Sequence, residues 1–178
     1  MFSNTYEPKP QKIPLKLFIG FIFTSETIYL QTKHILERKF GRADFESQTI
    51  AFNHTAYYEN EFGTGLKRKF LSFKRLINPE RQFRIKITTN KIEQRLSISG
   101  KRQINIDPGI LTLAKVILFT TKDYNHRIYL AQGIYAEVTL SYQSRSFQPW
   151  EWTYPDYKTP EYIQTFNHIR KIFSAQIQ

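Results

Sequence analysis

The sequence predicts an α+β fold, a single domain with a mixed or mostly antiparallel sheet packed against about three helices. Three observations carry this. Strand-like and helix-like apolar patterns follow one another without strict alternation. Two strand-like runs, Arg127 to Leu130 and Ile134 to Tyr142, flank Gln132-Gly133 and read as a hairpin. The 178 residues are 40% hydrophobic and 16% aromatic, enough to bury one core and too apolar for a disordered chain. No internal repeat at a fixed period is present.

Residues 1–14 carry Pro8, Pro10 and Pro14 and little apolar content, so they read as a tail before a domain spanning 15–178. Leu15 to Phe23 is nearly continuous in apolar residues, as in a strand buried on both faces. Thr24 and Ser25 can cap a helix, Glu26 suits its N-terminal end, and Ile28, Ile35, Leu36 and Phe40 recur at helical spacing before Gly41. A second strand is expected near Phe45 to Phe52, then a loop from Asn53 to Gly65, then a strand from Phe70 to Ile77. Asn78-Pro79-Glu80 has the form of a cap, a first-position proline and a first-turn acid. The segment after it fits either period, and helix through about Leu96 is the reading adopted.

Gln103 to Ile106 reads as a strand and Asp107-Pro108-Gly109 as a turn. Leu111 to Phe119 fits a buried strand or a helix, and residues 143–158 read as an aromatic, proline-containing loop. Thr159-Pro160 then starts a last helix with an apolar stripe of Tyr162, Phe166, Ile169 and Phe173.

The composition also excludes classes. With no cysteine there are no disulfides, thiolate nucleophiles or cysteine-ligated metals. The longest apolar run is interrupted by Lys16 and too short for a membrane span, and no secretory signal pattern is visible, so a cytoplasmic location without membrane partners is expected. The net charge is +11, and from Leu66 to Arg102 twelve basic residues face only Glu80 and Glu93, a net of +10. Such a segment attracts phosphate-bearing partners, nucleic acid included, although a solvated basic face would show the same count. No recognition-motif signature accompanies it, so base-specific reading is not expected.

Nucleotide motifs are absent. There is neither a Gly-x-x-x-x-Gly-Lys-Ser/Thr loop nor a Gly-x-Gly-x-x-Gly, and Thr121-Lys122-Asp123 lacks the context of a guanine-reading motif. His34, His54, His126 and His168 form no metal-ligand spacing, and Asn53-His54-Thr55 has no second copy, unlike the paired motifs of two-histidine phosphoesterases. The residues name no cofactor and no metal site.

Functional side chains concentrate in the C-terminal half. They run through Asn105-Ile106-Asp107-Pro108-Gly109, Thr120 to Leu130, Gly133 to Leu140 and Trp152 to Tyr157. Together with Tyr57 to Gly63 and Lys67 to Phe73, these segments resemble an uncharacterised bacterial family labelled domain of unknown function 4416. Some of its members carry a loose GTP-binding label, and it usually has Met where Phe62 stands. The resemblance covers the chain from about Leu15 to the last helix and implies no established activity.

Within this set His126 is the natural proton-transfer group, because histidine titrates nearest neutrality, with Asp107 or Glu137 as its partner. Arg127 suits bidentate phosphate or carboxylate recognition and Lys122 a point contact, with Lys67, Arg68 and Lys115 as further groups to hold the anion. Tyr135, Trp152 and Tyr154 offer stacking surfaces and Asp156 a further carboxylate. Each also has a plain structural role open to it, such as a hairpin ion pair for Arg127 and Glu137. The expectation is a binding site for a phosphate-bearing small molecule such as a nucleotide. The alternatives are an enzyme on a phosphorylated substrate using His126, and a nucleic-acid-binding module using residues 66–102.

Overall fold

The computed structural model describes residues 14–53 and 58–178. The expected tail, apart from Pro14, and His54 and Tyr57 lie outside the described residues. The strands are β1 (Lys16–Phe23), β2 (Ala43–Glu46), β3 (Ile50–Ala51), β4 (Lys67–Phe73), β5 (Ile104–Leu111), β6 (Lys115–Thr120), β7 (Ile128–Ala131), β8 (Ile134–Gln143) and β9 (Ser146–Pro149). The helices are α1 (Glu26–Phe40), the single turn α2 (Glu59–Phe62), α3 (Phe83–Arg95) and α4 (Pro160–Gln176).

All nine strands join one sheet in the order β2-β4-β1-β5-β6-β8-β7, with β3 also on β4 and β9 also on β8. Every pairing is antiparallel, so the α+β expectation holds in its antiparallel form. β1 is central and wholly buried, and its side chains alternate between two cores. Leu17, Ile19, Phe21 and Phe23 pack with Tyr29 and Leu36 of α1 and Ile85 and Ile92 of α3. On the other face Phe18 joins Phe70, Leu111 and Leu118 against Tyr162, Phe166, Ile169 and Phe173, the expected stripe of α4.

The ends of the helices follow their local chemistry. The Ser25 Oγ accepts the Ile28 N–H at 3.4 Å, and Gly41 follows the last turn of α1. The Asn78 Oδ1 accepts the Glu80 N–H at 3.0 Å and opens the 3-10 turn Pro79–Arg81 that leads into α3.

Three sequence readings are corrected. The segment expected to be strand to Ile77 starts earlier and ends at Phe73. The loop 143–158 contains β9, paired with the end of β8. Asp107-Pro108-Gly109 is not a turn but the middle of β5, with Pro108 opposite Ile19 of β1. On its other side β5 pairs with β6 only from Gly109 to Leu111. Pro108 has no N–H to give the next rung, so that ladder stops there. A Cβ on Gly109 would lie 2.3 Å from the Phe18 ring and 2.5 Å from the Ile117 carbonyl oxygen, so strand and side chain close in only because the position is bare. The same dipeptide that signals a turn here starts a split in the sheet.

Candidate functional site

Where β5 and β6 part, a cleft of about 620 Å³ opens. It takes side chains from both faces of the sheet: Lys86, Asn90 and Glu93 from α3 on one side, and Arg68, Asp156 and Tyr157 on the other. Leu118, Phe119 and Thr120 of β6 and Asn105 and Asp107 of β5 form its split edges, and Lys122, Arg127, Glu137 and Tyr154 close the far wall.

The register explains how Arg68 reaches it. Ile22 of β1 lies opposite both Arg68 and Asn105, and two residues along Gly20 lies opposite both Phe70 and Asp107. These positions share one sheet face. A Cβ on Gly20 would come within 3.0 Å of Arg68 Nη2, so the bare glycine is what lets the guanidinium cross β1 toward Asp107. Arg68 is 1% exposed. Its Nη1 lies 3.4 Å from Asp107 Oδ2 and its Nη2 donates to the Tyr157 hydroxyl at 2.8 Å. Its buried Nε has no hydrogen-bond partner among the described residues. The rings of Phe70, Tyr157, Tyr162 and Phe52 surround it, at 4.8, 5.4, 5.6 and 5.9 Å from its carbon centre. Burial works against its charge, but Tyr157, Tyr162, Asp156 and Asp107 hold its pKa above the ordinary arginine value. Burial likewise raises the Tyr157 phenol well above its usual range.

Asp107 is shared. Asn105 donates to its Oδ2 at 2.6 Å, and Lys86 stands 3.6 Å from its Oδ1 while donating to the Ile106 carbonyl at 3.1 Å. Beside it Glu93 accepts the Ile106 N–H at 2.5 Å and Arg102 at 3.3 Å. Burial pushes the Glu93 carboxyl above the ordinary range, against Lys86, the Ile106 N–H and Arg102. Arg102 also forks onto Glu61 of α2 at 2.8 and 2.7 Å, which fastens that turn beside the cleft.

A second buried pair forms the opposite wall. Arg127 Nε donates to Glu137 Oε2 at 2.8 Å, with their side chains 4% and 2% exposed. Arg127 also donates to the Lys122 carbonyl at 3.0 Å and the Tyr154 hydroxyl at 2.8 Å, so one guanidinium ties β8 to both rim loops. His126 Nε2 lies 3.2 Å from the same Glu137 oxygen.

The structure therefore brings Arg68, Asp107, Lys122, Arg127, Glu137, Tyr154 and Asp156 together around one cleft. The other sequence candidates stand apart from its lining. His126 sits behind Glu137. Trp152 stacks on Trp150 and His126, with centroids 5.2 and 5.7 Å away. Tyr135 packs edge-on to Tyr129. Lys67 alternates with Arg68 along β4, and Lys115 lies exposed at the far end of β6, opposite Ser141. Sequence reasoning missed Lys86, Asn90 and Glu93 as site residues. They recur at i, i+4 and i+7, a polar stripe that is legible in the sequence once the segment is taken as a helix.

Chemically the lining is nearly balanced. Arg68, Lys86, Arg102, Lys122 and Arg127 face Glu93, Asp107, Glu137 and Asp156, with amides and phenols between them. Such a wall can hold an anionic group at its cations and a hydrogen-bonding ring at its amides.

Comparison with curated proteins and with solved structures finds no match to either. The sequence pattern of the family described as domain of unknown function 4416 matches residues 13–173, and the chain belongs to that family.

Proposed function

We propose that the cleft binds a phosphate-bearing small molecule, with a nucleotide as the leading candidate. The observation that carries this reading is Arg68, a fully buried cation whose Nε has no partner among the described residues and whose nearest carboxylate among them lies 3.4 Å away and is shared with Lys86. A buried donor left without a partner is costly unless something else completes it. The cleft volume falls within the usual range for small-molecule sites. Lys86 and Lys122 supply further positive charge, and Tyr58 and Tyr154 supply ring surface. A cysteine-free chain acting on phosphorylated metabolites suits the cytoplasm.

Thermal-shift titration against a panel of phosphorylated metabolites tests it. A ligand at about 100 times its Kd should add about 2.7 kcal/mol of stability. The double variant Lys86→Met/Lys122→Ala should lose that gain. If no phosphorylated compound raises the wild-type Tm, the reading fails.

A second reading makes the same cleft a hydrolase or transferase site. It is favoured by Glu137, a wall carboxylate contacted by both Arg127 and His126. In that reading Glu137 or Asp107 handles the proton and His126 acts through Glu137. Phosphate release from the stabilising ligand, reduced in Glu137→Gln and His126→Ala, is the expected result. Equal rates in all three proteins would dismiss it.

A further inference from the structure

The basic segment does not act as one surface. Of its twelve cations, Arg68, Lys69, Lys86 and Arg102 are held in ion pairs within the fold. Three others converge elsewhere. Arg75, Arg81 and Arg84 line a hollow of about 270 Å³ whose apolar floor includes Phe40 and Ile85. All three are exposed, and none has a carboxylate partner among the described residues.

The surroundings add to the charge. The Lys74 N–H donates to the Arg42 carbonyl at 3.0 Å, which sets those two exposed cations beside the hollow. Arg38 and Lys39 end α1 next to them. The acids within 37–42 and 74–84 are Glu37 and Glu80, and Glu37 is engaged with the Ala43 N–H at 3.0 Å.

From this we infer that the hollow between the end of α1 and the start of α3 is a binding site for single-stranded nucleic acid. Guanidinium groups fork onto phosphates and stack on bases, so three of them around an apolar floor can hold a backbone and one unstacked base. A concave floor needs a base free of its stack, which a duplex does not offer. An anionic membrane fits less well, because no large apolar side chain of the described residues protrudes here. The exposed ones, such as Leu30, Ile98, Leu113 and Tyr124, belong to other segments. The site is separate from the cleft and shares no lining residue with it.

Fluorescence anisotropy with labelled single strands of about 12 nucleotides, RNA and DNA, tests this, starting at about 50 mM salt. Wild-type binding should fall steeply as salt rises. With about 0.7 counterions released per single-strand phosphate, Arg75→Ala/Arg81→Ala/Arg84→Ala should flatten the log–log salt slope by about 2. The control Lys91→Ala/Arg95→Ala/Lys101→Ala removes equal charge from exposed positions outside the hollow and should bind better than the first triple. No binding at low salt overturns the proposal. So does equal loss in both triples, which would mean net charge alone, or binding to phosphatidylserine vesicles with none to oligonucleotides. If the first triple fails to fold, photo-cross-linking of a thiouridine-containing strand to the wild-type protein decides. Cross-links within 74–84 support the site, and cross-links confined elsewhere refute it.

Discussion

Arg68, Gly20 beside it and Gly109 at the split from β6 decide whether the cleft has its shape. Asp107→Ala removes the carboxylate nearest a buried guanidinium. The expected loss is about 2 kcal/mol, below the range for a fully buried pair because Asp107 is part exposed and Asp156 remains near. Denaturant unfolding measures it, and an unchanged midpoint would mean that the pair contributes nothing. Gly109→Ala places a methyl against a backbone carbonyl that cannot swing away, at a cost of about 3 kcal/mol. Gly20→Ala meets only side-chain ends and should cost about 1 kcal/mol, while weakening ligand binding by displacing Arg68. Equal costs at the two glycines would show that the backbone clash is relieved. Little of this was legible in advance. Arg68, Asp107 and Glu137 were singled out by type and density, but nothing in the sequence says that a glycine opposite Asp107 opens the path between them.

Elements with a single period were readable, and elements with conflicting signals were not. β1, α1, α4 and the β7–β8 hairpin follow from apolar spacing and turn chemistry, and they stand where expected. Pro108-Gly109 misled because local turn propensity lost to strand pairing with β1, while both residues serve the split from β6. The spacing predicts a helix at α3, yet along the chain its cations read as part of a basic segment rather than as a wall. That face carries a pH signature. Burial raises the Glu93 pKa, so its contribution is fully present below the unfolded-state pKa and is lost as pH rises through the folded value. Wild type should therefore lose stability relative to Glu93→Gln as pH climbs from the carboxylate range toward neutrality. Melting curves at a series of pH values check this, and a pH-independent difference would contradict it.

Across the described residues a single antiparallel sheet carries the helices and parts between β5 and β6 to open a cleft, with an arginine-ringed hollow elsewhere on the surface. Its acid response runs opposite to that of Glu93. Burial acts to raise Glu46, but hydrogen bonds from Lys33, Tyr29 and Lys69 hold it below the ordinary carboxylate range, and Arg102 does the same for Glu61. Their stabilisation is present above the unfolded-state pKa and is lost as pH falls through the folded one. Glu46→Gln should flatten the acid limb of the stability curve, and an unaltered limb would place that sensitivity elsewhere. Net charge points to the segment 66–102 but separates neither the cleft nor the hollow within it, because charge counted along the chain does not say which cations the fold turns inward.

The most direct test of the cleft is an amide NMR titration of the ¹⁵N-labelled protein with the nucleotide or phosphorylated metabolite that most raises its Tm. The account predicts saturable shifts clustered at Lys86, Asn105, Asp107, Thr120 to Lys122 and Arg127, with the amides of Arg75, Arg81 and Arg84 unmoved. Saturable shifts confined to residues outside the cleft, or no shift at all, would contradict it.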